Sequence, residues 1–184
     1  ITTQTGSPEK TSMTMQYITD DFGNTDLNKF SENYDNLYFM LSGPDPLLKD
    51  RILPALGLNF LEDKEVTYFL FAEVTKTNTP YSYDEYASPT TTMRYSSFNL
   101  FGIDIPERQY NDYTINGNLM MKPMNNMKVV FSYKNSYNKQ TSFYQYDWQY
   151  RYSPNTAPVG ETKWQSYSLE LTHQLSKNMH YYLK

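Results

Sequence analysis

Apolar and polar side chains alternate along much of this chain with a period of two. In "YTINGNLMM", residues 113–121, Tyr113, Ile115, Gly117, Leu119 and Met121 fall on one side, and Thr114, Asn116 and Asn118 on the other. "MKVVFSY", from Met127, sets Met127, Val129, Phe131 and Tyr133 against Lys128, Val130 and Ser132. From Trp164 to Leu175, Tyr167, Leu169 and Leu171 oppose Ser166, Ser168, Glu170 and Thr172. That period belongs to antiparallel strands with one polar face, not to helices. Earlier strands are expected at Thr11–Ile18, Asn36–Ser42 and Glu65–Thr75, the last continuously apolar but rich in aromatic and β-branched residues. A seventh run opens at Met179 and has reached Leu183 when the sequence ends, so the chain is expected to be a piece of a longer polypeptide.

The connections divide into two kinds. Polar, Tyr-rich excursions follow the first, third and fifth runs: "TDDFGNTDLNKFSENYD", Lys76–Asn111 and about Asn138–Lys163. The other connections are "KPMNN" at Lys122–Asn126, Ser176–Asn178, and a Pro-bracketed stretch in which Leu47–Leu53 is expected to form a short helix between Pro46 and Pro54. Long loops on one rim and short turns on the other are the asymmetry of outer-membrane barrels.

Composition narrows the classes. The longest apolar run, near "VTYFLFAEV", falls far short of the roughly 20 residues of a membrane helix, whereas barrel strands need only about 9–11 residues, half of them free to be polar. Cysteine is absent, which excludes disulfides, Cys-type zinc sites and a thiol nucleophile. A net charge of -4 without a basic run argues against a nucleic-acid partner. The N-terminus has no initiator Met, charged leader or apolar leader segment, as in a mature or truncated chain. The 19 Tyr and 10 Phe against 7 Gly are the unusual feature.

Catalytic chemistry finds little support, and no enzyme activity or cofactor is expected. His173 and His180 flank one turn and could approach each other, but no third metal ligand accompanies them, and a structural role is the stronger reading. "DDFGNTD" places Asp20, Asn24 and Asp26 loosely like a calcium loop, without the Gly spacing or terminal Glu of an EF-hand. Asp84 and Glu85 are sequence neighbours and do not make a facing acid/base pair. The loop aromatics stand out instead: Tyr81, Tyr83 and Tyr86 in one excursion, and Tyr144, Tyr146, Trp148 and Tyr150 in another. They are the candidate ligand or partner contacts, able to stack on a sugar or peptide, or to meet a surface lipoprotein. Mutual packing, or a place in an interfacial aromatic girdle, is the plainer account of the same rings.

"LYFMLSGPDPLL", then "ILPALGLNF" and "EVTYFLFAEV", resembles the start of the barrel in TonB-dependent outer-membrane receptors, nearest to the group preceded by a carboxypeptidase-regulatory-like domain. "YTINGNLMMKPMNNMKVVFSYKNSYN" is similar to their recurring hairpin, and "YSLELTHQLSKNMHYYLK" to the hairpin after it. The resemblance spans about Asn36 to Lys184 and implies a 22-stranded barrel, a plug inside it, and nutrient uptake energised through the TonB complex. No plug or TonB-contacting segment is recognisable in residues 1–184, and no functional residue carries over. The expectation is therefore an all-β, up-and-down transmembrane barrel of which these residues form about seven strands, in the bacterial outer membrane. Ile115, Leu119, Val129, Phe131, Leu169 and Leu171 would meet lipid, and Asn116, Asn118, Ser132, Ser168 and Glu170 the lumen. Its other partners would be the plug, the rest of the barrel and the TonB complex. The alternative is a secreted or cell-surface β-sandwich binding carbohydrate or protein through its Tyr-rich loops, since sandwich strands also have one apolar face.

Overall fold

The computed structural model describes residues 6–20, 23, 31, 33–45, 47–57, 63–77, 97–100, 103–141 and 158–184. Seven strands form one antiparallel sheet: β1 (Ser12–Thr19), β2 (Asp35–Pro44), β3 (Glu65–Thr77), β6 (Tyr110–Met124), β7 (Met127–Thr141), β8 (Val159–Ser176) and β9 (Met179–Leu183). Each pairs with the next along the chain, except that β3 and β6 are neighbours across a separate small hairpin, β4 (Ser97–Leu100) with β5 (Ile103–Pro106). The order is up-and-down, and among the described residues β1 and β9 are edges without a second partner, so the sheet is open. All seven expected strands are present, and the β4–β5 hairpin lies where the sequence suggested only a polar excursion.

The strands are longer than alternation alone indicates: β2 runs on to Pro44 and β6 to Met124 near the short connections, and β6, β7 and β8 also extend toward the long-loop rim. β7 runs on through "NKQT" to Thr141 and β8 begins at Val159, so the excursion expected between Asn138 and Lys163 is partly strand. Polar residues can extend a ladder because its hydrogen bonds come from the backbone.

Both short turns close through register shifts. One shift falls between Met121 and Met124 beside Asn125–Asn126, the other between Gln174 and Ser176 beside Lys177–Asn178. Pro123 lies inside the first shift, where a strand tolerates a residue that cannot donate to the ladder. The expected Leu47–Leu53 helix is displaced: a helical turn at Leu48–Ile52 runs into one α turn at Leu53–Ala55. Pro54 sits inside it, in the first turn, where its missing N–H costs nothing. The Asp45 carboxylate accepts the Lys49 N–H at 2.9 Å, and Gly57, at φ +73°, ends the turn in the left-handed conformation that glycine adopts freely.

The registers align side chains into rows across the sheet. One face carries Met13, Leu41, Leu70, Gly117, Tyr133 and Tyr167 in one row, and Tyr68, Leu119, Phe131 and Leu169 in the next. The opposite face carries Ser12, Ser42, Phe69, Asn118, Ser132 and Ser168 in a single row. Exposure on the two faces is the reverse of a soluble sheet. Phe131 is 42% exposed beside Val130 at 3%, and Leu169 is 61% exposed beside Glu170 at 9%. Thr67, Phe69, Asn118 and Met120 are also buried on the polar face. Substantial contacts run only between hydrogen-bonded neighbours and within the helical turn, so among the described residues no second layer covers either face. A single sheet shields one face without a cover only by curling, which crowds side chains on its concave side. The polar face is that concave side.

Candidate functional site

Five rows build the exposed face, apolar and aromatic except for Asn135, Gln165 and Lys163. They run from Val66, Met121, Val129, Leu171 and Leu183 near the short turns to Tyr17, Leu37, Val74, Tyr113 and Tyr137 near the long-loop rim. Along β6, Tyr113 to Met121 is eight steps, about 27 Å at roughly 3.4 Å per residue, or about 21 Å for a strand tilted by about 40°. Rings mark both ends. Tyr113 and Tyr137 stack at 6.0 Å near the rim; near the turns, Tyr181 meets His173 edge-on at 5.4 Å. Leu70, Ile115, Phe131, Tyr167 and Leu169 are all exposed between them.

The concave face mixes polar side chains with apolar ones, Phe69, Phe71, Met120 and Val130 among them. Asn36 donates to Glu73 and to the Thr75 hydroxyl, both at 2.8 Å. Lys122 pairs with Glu65 at 2.8 Å, Lys184 with Glu170 at 2.6 Å, and Lys134 lies 5.3 Å from the centre of the Trp164 ring. These are cross-strand pairs on one face, each placed by the register beneath it.

Above the Tyr17–Tyr113–Tyr137 row, the exposed face changes abruptly to Thr19, Asp35, Lys76, Asn111, Lys139 and Glu161. Residues 107–109 fold onto this row. Arg108 bonds the Asp35 carboxylate and the Asn33 carbonyl, Lys139 pairs with Glu107 at 2.6 Å, and the Asn111 side chain bonds the Arg108 N–H and carbonyl. Lys76, Glu107, Gln109 and Asn111 are buried as a result. Burial pushes the Asp35 carboxyl up, but hydrogen bonds from Tyr17, Thr19 and Arg108 outweigh it and hold the group below its ordinary value. The Glu107 hydrogen bond raises Lys139, whereas burial lowers Lys76. This clamp ties β2, β3, β6 and β7 together at the rim.

The sequence-selected residues divide sharply. Ile115, Leu119, Val129, Phe131, Leu169 and Leu171 share the exposed face, while Asn116, Asn118, Ser132, Ser168 and Glu170 share the concave one. Tyr81, Tyr83, Tyr86, Tyr144, Tyr146, Trp148 and Tyr150 lie outside the described residues, as do Asn24, Asp26, Asp84 and Glu85. His173 and His180 do not converge. His173 is opposite Tyr181 and His180 opposite Gln174, so the two rings leave opposite faces. His173 instead lies 3.2 Å from the Asn126 amide and 3.1 Å from the Tyr181 hydroxyl, fastening two neighbouring turns. Asp20 accepts from the Ser31 hydroxyl and the Tyr34 N–H, both at 2.7 Å, and so braces its own loop. Among the described residues no group of three His, Asp or Glu side chains could hold a metal. The rim clamp was not singled out from sequence. Its partners are far apart, Arg108 and Asp35 by 73 positions, and only the β2–β3–β6 register unites them.

No known family matches the chain, and no curated protein or solved structure matches it.

Proposed function

We propose that this chain is part of the wall of a transmembrane β-barrel in the bacterial outer membrane, belonging to a receptor of the TonB-dependent type. The observation that carries the membrane part is the inverted amphipathicity of the sheet. Large apolar side chains such as Leu70, Ile115, Phe131, Tyr167 and Leu169 are exposed on one face, while Thr67, Asn118 and Glu170 are buried on the other beside Phe69, Met120 and Val130. In water such a band is far larger than the few hundred Å² of exposed apolar patch usual for a soluble monomer. In a bilayer it is the favourable arrangement, and a height near 21 Å approaches the roughly 25 Å apolar belt of outer-membrane barrels. The two unpaired edges need partners there, because lipid offers nothing to their N–H and C=O groups. Further strands would supply them and complete the closure.

The transport part rests on the resemblance of the hairpin sequences. In that account the long loops bind a scarce nutrient outside, a plug fills the barrel, and the TonB complex drives passage; a surface lipoprotein is a further candidate partner at the loops. The concave Ser, Thr and Asn side chains would line the interior around the plug. A β-sandwich presenting Tyr-rich loops is the lesser reading, because it needs a second sheet over the apolar face and none is present among the described residues.

The test is a membrane fraction run on a gel with and without boiling, followed by uptake assays in cells with and without TonB. A detergent-dependent band that shifts on heating is expected, with nutrient uptake lost on removing TonB. A soluble species with no heat shift would overturn the membrane assignment; a heat-shifting barrel indifferent to TonB would overturn the transport assignment alone.

A further inference from the structure

We infer that the short-turn rim carries a binding site for a cuprous ion, built from Met124, Met127 and His173. The register sets these residues side by side. Met124 is opposite Met127 across the β6–β7 turn, Met127 is opposite His173 across β7 and β8, and His173 is opposite Tyr181 across β8 and β9. Directly paired residues share a face, with Cβ atoms about 4.5–5.5 Å apart. The three donors therefore form one row with Met127 in the middle, at the end of the exposed face away from the long loops. Met124 is 51% exposed, so an ion can reach the row from outside. The site is independent of the barrel assignment, because the register alone assembles it.

The imidazole is held as a metal-binding histidine is held. The Asn126 side-chain nitrogen lies 3.2 Å from His173 Nε2, and its bond to the Gln174 carbonyl at 2.9 Å fixes which end of the amide is nitrogen. An amide nitrogen only donates, so Nε2 carries the lone pair. Nδ1 then bears the proton and donates to the Tyr181 hydroxyl at 3.1 Å. One nitrogen anchored through its N–H and the other presented as a donor is the arrangement that orients an imidazole toward a metal. Nε2 points at Asn126, which lies in the turn between Met124 and Met127, so the lone pair is aimed at the segment the two thioethers flank. The donor set selects the ion. Two thioethers and a neutral imidazole are soft and uncharged, which suits Cu(I) and offers no anionic oxygen to calcium or magnesium. Among the described residues no group of three His, Asp or Glu side chains supplies a harder site. Packing alone needs no sulfur here, since Leu171 and Leu183 fill the next row without it. Binding forms three bonds from the lone pairs of two Sδ atoms and Nε2, and breaks only the Asn126–His173 hydrogen bond. Copper enters and stays as Cu(I), so no proton or electron is transferred.

The experiment uses the complete protein, purified without oxygen and titrated with Cu(I) held by a competing chromophoric chelator. Met127→Leu keeps the volume and apolar character of the side chain. It should weaken Cu(I) binding by at least roughly tenfold, the lower end of what losing even an outer-shell partner costs. Met124→Leu should do the same, and Met13→Leu, on the same face but in β1, should leave binding unchanged. X-ray absorption of the copper-loaded wild type should show sulfur and nitrogen neighbours, with fewer sulfurs in Met127→Leu. Equal affinity of wild type and Met127→Leu, or a wild-type shell of nitrogen and oxygen alone, would overturn the inference. Displacement of Cu(I) by an equal concentration of Zn(II) would mean a harder donor set and overturn it too. A heat-shifting barrel with any of those results loses this site and keeps the barrel assignment; a soluble protein that binds Cu(I) as expected does the reverse.

Discussion

At the scale of single residues, adjacent positions on one strand have opposite roles. Leu169 and Ser168 differ by one step along β8, yet the first lies on the exposed apolar face and the second on the concave one. Leu169→Arg is expected to destabilise the folded barrel by about 2–4 kcal/mol, the cost of a lipid-facing arginine near the bilayer midplane. Ser168→Arg should cost far less, because it enters a polar interior. Urea unfolding in lipid vesicles measures both, and equal losses would contradict the assignment of faces. Asp35 makes a prediction about pH. Its carboxyl is held below its ordinary value of 3.8, so it stabilises the fold fully above that value and loses the contribution as the pH falls through its lower, folded-state value. The stability difference between wild type and Asp35→Asn should be constant near neutrality and close below pH 3.8. A difference that grew on acidification would mean that the Arg108–Asp35 pair is not formed.

At the scale of elements, close approach between β1 and β2 depends on a missing side chain. A Cβ on Gly43 would lie 2.8 Å from the Thr11 Cα, a backbone atom that cannot swing aside. Gly43→Ala should push the start of β1 off the sheet at a cost of about 1–3 kcal/mol, seen as faster amide exchange in Ser12–Met15 while β7 and β8 stay protected. Unchanged exchange would show that β1 is not seated as described. At the rim, Glu107→Gln removes one partner of a buried ion pair and should cost on the order of 1–3 kcal/mol. Protease nicking in the segment before β6 should increase with it; nicking at the wild-type rate would mean that the clamp does not hold residues 107–109.

Elements also show what the sequence could reveal. The faces of β6, β7 and β8 are legible because a two-residue period puts Ile115, Phe131 and Leu169 in phase whatever the loops do. Alternation is local, so it could not locate the rim clamp, whose charges come from separate strands. It also under-measured β7 and β8 at their loop ends, where polar side chains mask strands held by backbone bonds. Nor could it find β4 and β5, a hairpin inside a stretch dominated by polar and aromatic residues. Whether His173 and His180 could approach was likewise undecidable from alternation: the register shift at the turn places them on opposite faces.

At the scale of the whole molecule, the central claim is that the exposed apolar face meets lipid and the shielded polar face does not. The chain has no cysteine, so single substitutions can be labelled without background. The most direct measurement places one cysteine at a time at Tyr167, Ser168, Leu169, Glu170 and Leu171, attaches a small fluorophore, and compares quenching by brominated lipid with quenching by aqueous iodide. Positions 167, 169 and 171 should be quenched by the lipid, and 168 and 170 should not. Iodide quenching at 167, 169 and 171 without any lipid effect would contradict the account and make the β-sandwich the better description.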